Sequence, residues 1–149
     1  MIPELVDGVL PDGIHECTIA EVENAFGNFQ STDRRPRLTE KLKEYLAEAK
    51  LSGTATAVVI DGSYVTGKPD PGDIDLILVL RGDFDLTAEL SPLEYNVQSR
   101  GRARRLYGFD VRAAAEGSDA LAEYIDFFSK VRSDAPGRQP RKGLLRVSL

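Results

Sequence analysis

Ile60-Asp61-Gly62-Ser63-Tyr64-Val65-Thr66-Gly67, resuming four residues later as Gly72-Asp73-Ile74-Asp75-Leu76-Ile77-Leu78-Val79-Leu80, decides the reading of this chain. Residues 54–60 are rich in β-branched and apolar side chains, which predicts a buried strand. Residues 74–80 predict a second strand. Its unbroken apolar run from Leu76 to Leu80 suits a central strand covered on both faces. Between them lie a Gly-Ser turn and a loop carrying Pro69 and Pro71. Strands joined this closely can bring the turn and the acids Asp73 and Asp75 to one rim of a sheet.

Working outward, Leu38, Leu42, Tyr45, Leu46 and Ala49 recur at helical spacing, so a helix is expected over 38–50, ended by Ser52-Gly53. Thr18-x-x-Glu21 is a capping-box pattern and predicts a helix over 19–29, with a polar break at 31–36. Residues 1–17 read as an irregular lead-in. On the other side, Arg81-Gly82-Asp83 is a turn, 91–105 a helix anchored weakly by Leu93, Val97 and Leu106, and 107–112 a third strand. Leu121, Tyr124, Ile125 and Phe128 mark one face of a helix over 118–130. A loop with Pro136, Gly137 and Pro140 follows over 134–142, then a short last strand over 144–148. The expectation is an α/β (α+β) fold, a small mixed β-sheet flanked by helices. The 149 residues suit one domain: an N-terminal helical lead-in (1–37), a core (38–112), and a C-terminal helix, loop and strand (113–149).

Bulk properties exclude several classes. There is no run of about 18 apolar residues, so no membrane-spanning helix is expected. The start, Met1-Ile2-Pro3-Glu4-Leu5, lacks the basic and apolar regions of a secretory signal. A single cysteine, Cys17, cannot form an internal disulfide, and one Cys with one His makes no zinc site. A cytoplasmic protein is the simplest expectation. Net charge is −5, so the molecule as a whole does not attract nucleic acid. Arginines nevertheless cluster: Arg34, Arg35 and Arg37; Arg100, Arg102, Arg104, Arg105 and Arg112; and Arg138, Arg141 and Arg146 with Lys142. Solvated faces are the default reading of each, and a phosphate or an acidic partner the other.

On a strand, residues two apart face the same way, so Asp73 and Asp75 are expected on one side with Ile74 packed on the other. Adjacent carboxylates repel, more so when buried. Mg²⁺ would offset that, because hard cations take carboxylate and phosphate oxygens. A wet, frayed strand end would relieve it with no ligand. Gly62 permits close backbone approach, and Ser63 offers a hydroxyl and an N–H that suit phosphate oxygens. Turn, acid pair and apolar strands together favour a site for a nucleoside triphosphate and its metal. Gly62 to Lys68 also fits G-x-x-x-x-G-K, but Pro69 stands where the magnesium-binding Ser or Thr of a P-loop belongs, and Asp70-Pro71-Gly72 cannot continue a helix.

Gly62-Ser63 followed by Asp73-x-Asp75 resembles the DNA polymerase β-like nucleotidyltransferase superfamily, particularly its minimal one-domain bacterial members. The resemblance covers residues 38–112; Leu10-Pro11-Asp12-Gly13-Ile14-His15 and Gly143-Leu144-Leu145-Arg146-Val147 resemble the ends of one bacterial branch. It implies a third carboxylate on a neighbouring strand. Asp110 is the best candidate; its plainer reading is a strand-edge acid or a partner for Arg112. Asp83 and Asp85 lie in a turn and are poorer choices.

The resemblance further implies that Asp73, Asp75 and Asp110 are catalytic and bind Mg²⁺ or Mn²⁺. Gly62, Ser63 and Lys68 would bind the nucleotide. A nucleoside monophosphate would pass from an NTP to a hydroxyl on protein, RNA or a small molecule, with pyrophosphate leaving. Similar minimal members occur as halves of toxin–antitoxin pairs, which implies such a partner or a homodimer. The alternative is a non-catalytic nucleotide-binding or partner-neutralising, antitoxin-like module. RNA binding through the Arg100–Arg112 cluster is a weaker third reading. His15 is expected at the surface or as a cap, with a place lining the nucleotide cleft left open, and Cys17 as a small apolar residue.

Overall fold

The computed structural model describes residues 1–28, 32–131 and 141–149. One mixed sheet runs in the order β1-β5-β2-β3-β4. Its strands are β1 (Ile14–Cys17), β2 (Ala55–Asp61), β3 (Asp75–Leu80), β4 (Asp110–Ala115) and β5 (Leu144–Ser148). β1 runs parallel to β5 and β3 to β4, while β2 is antiparallel to both of its neighbours. The helices are α1 (Ile19–Phe26), α2 (Arg34–Ser52), α3 (Pro92–Gln98), α4 (Arg100–Tyr107) and α5 (Asp119–Phe128). The small mixed sheet flanked by helices is therefore the fold.

Strand alternation divides the core into two layers. Val58, Ile60, Leu76, Leu78, Leu145 and Val147 face a large cluster containing Val22 and Phe26 of α1, Leu42, Tyr45 and Leu46 of α2, Val97 of α3, and Ala103 and Tyr107 of α4. Ala57, Val59, Ile77, Val79 and Leu144 face the other way, beneath Leu121, Tyr124, Ile125 and Phe128 of α5. This two-sided cover is why β3 reads as continuously apolar.

Local signals set several boundaries. The Thr18/Glu21 capping box forms, with Glu21 N–H donating to the Thr18 hydroxyl at 3.2 Å. Gly53, at φ 69°, closes α2 in the left-handed conformation. Other expectations are corrected. The lead-in contains β1, made a strand by its pairing with β5 far along the chain. Helix α1 ends at Phe26, short of 29. Helix α2 begins inside the expected polar break. The expected 91–105 helix is two helices, because Ser99 leaves helical geometry, ends α3 and caps α4 by accepting from Arg102 N–H at 3.3 Å. The strand expected at 107–112 starts later, since Tyr107 still belongs to α4 and Gly108 turns the chain at φ 78°. Residues 134–140 of the expected loop lie outside the described residues. Among the described residues, no helix is long and apolar enough to cross a membrane.

Candidate functional site

Strand β2 ends at Asp61, where Gly62 takes φ 93° and ψ −178°, a conformation open essentially to glycine alone. A single 3₁₀ turn, Ser63–Val65, follows; its brevity and the extended backbone at Thr66 rule out the helix a P-loop requires. The turn is held from outside. Arg35, fully buried on α2, donates to the carbonyls of Phe26 (3.0 Å), Tyr64 (2.7 Å), Thr66 (2.8 Å) and Lys68 (2.5 Å). Its guanidinium also lies 5.5 Å from the Tyr64 ring centre. A planar fork with several donors can satisfy diverging carbonyls; an ammonium cannot. Tyr64 is itself fully buried and shares a 2.5 Å hydrogen bond with Thr39, so it is a core residue.

Across the sheet from this turn lies a row of acids. Asp61 is in register with Asp75, and Asp75 with Asp110, so three carboxylates stand side by side on three strands. Cross-strand neighbours share a face, and like charges directly opposite are destabilising. The face is the one α5 covers: Arg112, two residues beyond Asp110, lies 5.7 Å over the Tyr124 ring and 6.0 Å from that of Phe128. The Asp75 carboxyl is held above its ordinary range, first by burial, then by the charges of Asp61, Asp73 and Asp110, with Lys142 opposing.

Each neighbour of Asp75 has its own cation. Lys142 lies 2.9 Å from Asp61, Arg104 lies 2.6 Å from Asp73, and Arg100 lies 2.7 Å from Asp110, with Arg112 at 3.9 Å. Asp75 has no hydrogen-bond or ion-pair partner of its side chain among the described residues. Of the arginine cluster of residues 100–112, Arg100, Arg104 and Arg112 pair with these acids, Arg102 donates to the Asn96 side-chain oxygen, and Arg105 is exposed.

Asp61, Asp75, Ser63, Thr66, Lys130 and Lys142 line a cleft of about 620 Å³ together with the apolar Val9, Phe127, Phe128 and Val131. A ligand with an apolar end and an anionic end matches such a wall.

The sequence-predicted residues divide as follows. Gly62, Ser63 and Asp75 meet at this rim; a Cβ on Gly62 would stand 3.2 Å from an Asp75 carboxylate oxygen. Asp110 is next in the row, outside the cleft lining. Asp73 does not share Asp75's surroundings: β3 begins only at Asp75, and Asp73 turns to Arg104 while accepting from the N–H of Ile74 at 2.7 Å. Two-residue alternation fails there because residue 73 is not in the strand. Lys68 is exposed and contributes its carbonyl to Arg35, with its side chain outside the cleft lining. Asp85 caps its own turn at Thr87, beyond the opposite end of β3. His15 lies on β1, bonded to the Pro11 carbonyl at 2.7 Å, and is outside the cleft lining. A Cβ on Gly143 would overlap that carbonyl oxygen, so only glycine fits beside it. Cys17 is half-buried, and burial pushes its thiol up to about 11.

Two residues were missed. Asp61, one residue past the expected strand, was given no role, although an acid ending an apolar strand next to Gly-Ser is a readable signal. Lys142 carries no local signal; the tertiary fold alone delivers it.

The donor set fits a hard divalent cation in kind: carboxylate oxygens from adjacent strands, with Asp75 desolvated and lacking a counter-ion of its own. As they stand, no three His, Cys, Asp or Glu side chains among the described residues converge to hold one.

The chain matches, over residues 3–148, the model described as "Family of unknown function (DUF6932)", and it belongs to that family. No curated protein and no solved structure matches it.

Proposed function

We propose that this chain is a metal-dependent nucleotidyltransferase, moving a nucleoside monophosphate from an NTP to a hydroxyl on protein, RNA or a small molecule. The observation that carries this reading is that Asp61, Ser63 and Asp75, with Gly62 packed against Asp75, share a cleft lining with Phe127 and Phe128. Asp75 and Asp61 would hold Mg²⁺ or Mn²⁺, joined by Asp110 and Asp73 once their arginines swing aside. The bound ion would supply charge neutralisation and polarise phosphate oxygens.

The chain's own groups do the rest. The Ser63 hydroxyl and N–H and the ammonium groups of Lys130 and Lys142 face phosphate oxygens. Phe127, 60% exposed at the cleft, offers a face to the base. The acceptor oxygen forms a bond to the α-phosphorus, the α–β bridging bond breaks, and pyrophosphate leaves. The acceptor's proton passes to a carboxylate of the row.

The test is transfer from α-phosphate-labelled ATP, GTP, CTP and UTP, with Mg²⁺ or Mn²⁺, into cell lysate, wild type beside Asp75→Asn. Label on protein or RNA with wild type alone supports the reading. The same absence of label from both proteins, each folded, overturns it.

One observation favours a second reading. Three carboxylates already carry internal cations, which suits a non-catalytic nucleotide-binding or antitoxin-like module of the same fold. Nucleotide binding without transfer, unchanged by removing the metal, would select it.

A further inference from the structure

Among the internal cations, Lys142 differs in place and burial. Its side chain is 18% exposed, against 54% for Arg104 and 61% for Arg100, and its partner Asp61 is 5% exposed. Its backbone is fixed at the approach to β5: Lys142 N–H donates to the Ser129 carbonyl at 2.8 Å and Gly143 N–H to that of Leu10 at 2.9 Å. Only the flexible stem can move. The cleft around it holds Ser63, Thr66 and Lys130 as well as Asp75.

Taking the proposed metal-dependent function as its premise, we propose that Lys142 is a resident counter-ion that a divalent cation displaces from Asp61, after which its ammonium binds the anionic part of the ligand in the same cleft. The argument is one of compulsory neutrality. Asp61 is too buried to stand without a positive partner, since an uncompensated buried charge is strongly unfavourable. Lys142 therefore cannot leave until another cation arrives beside Asp61 and Asp75. Once released, the ammonium remains in the cleft, because its backbone is pinned. A lysine stem allows this swing without backbone motion. Cation and anion binding are then coupled: each favours the state in which Lys142 has left Asp61, so each strengthens the other.

Mn²⁺ binding, read from the paramagnetic resonance signal of the free ion, tests this at constant ionic strength with and without sulfate, an anion that chelates Mn²⁺ weakly. Wild type, Lys142→Met, Lys142→Gln and Lys50→Met are compared, with circular dichroism checking the fold of each. Lys142→Gln keeps a hydrogen-bond donor beside Asp61 and carries the comparison if Lys142→Met does not fold. Sulfate is expected to tighten Mn²⁺ binding to wild type. Removing the Lys142 charge is expected to tighten binding of Mn²⁺ alone by about tenfold and to abolish the sulfate effect. Lys50→Met, exposed on α2 and outside the cleft lining, is expected to match wild type. A Lys142 that serves only as structural support would change the melting temperature and leave Mn²⁺ affinity unmoved. Equal Mn²⁺ affinity in wild type and Lys142 variants overturns the inference and leaves the metal-dependent function standing. Absence of Mn²⁺ binding from every folded variant overturns both.

Discussion

Asp61 stands directly opposite Asp75 across the β2–β3 ladder, and of the two only Asp61 has a cation within ion-pair distance, Lys142 at 2.9 Å. The asymmetry leaves Asp75 as the charge the fold tolerates least, with its carboxyl above the ordinary value of 3.8.

Asp75→Asn is therefore expected to stabilise the protein at neutral pH while reducing transfer by at least about a hundredfold. Partial exposure screens the repulsion, so the gain is on the order of 2 °C in melting temperature. The folded state binds the proton more tightly than the unfolded state. Stability from this group is complete below the unfolded value and is lost as pH rises through the raised folded value. Melting curves across that window should show the gap between wild type and Asp75→Asn opening as pH rises. A constant gap would contradict the assignment.

Arg35→Met removes donors from four buried or half-buried carbonyls and is expected to cost about 3 kcal/mol or more in urea denaturation. Arg35→Lys should recover less than half of that, because a point charge cannot fork to all of them. Full recovery by lysine would mean that charge alone matters there.

Gly62→Ala forces a side chain into a glycine-only conformation and to 3.2 Å from the backbone N of Asp75, at a cost of about 1–3 kcal/mol. Gly53→Ala is the control, also at positive φ but with open space around it. Only the Gly62 change should weaken nucleotide binding, measured by calorimetry.

Phe127→Ala should leave stability within about 0.5 kcal/mol, as for most surface changes. Loss of a stacking face should weaken ATP binding roughly fivefold and leave inorganic tripolyphosphate binding unchanged. An equal loss for both ligands would place the phosphates, not the base, against this ring.

Strands β2, β3 and β5 were legible because their apolar runs are long for their length and bounded by turns. The four residues of β1 were not: Ile14-His15-Glu16-Cys17 has no apolar run, and pairing with β5 makes it a strand. The break at Ser99 escaped because serine is no helix breaker; it acts there through its capping hydroxyl. Of the residues singled out by pattern, Gly62, Ser63 and Asp75 lie together at one rim, with Asp110 next in register on β4. Asp73 was misplaced by extending strand alternation past the strand's end. Asp61 could have been found by continuing β2 one residue further. Lys142 could not, since its partner Asp61 lies some 80 residues earlier in the chain and nothing near it in sequence points there.

The Arg35 clamp has a consequence for how the site can be moved or inherited. A peptide spanning 60–80 would carry the Gly-Ser turn and both acids of the motif, yet not the bend that aims them, because that bend is written in a helix that precedes β2. The rim is not portable. It exists only once α2 has docked, so a graft that borrows the motif without Arg35 and its helix transfers letters without the grammar that gives them a shape.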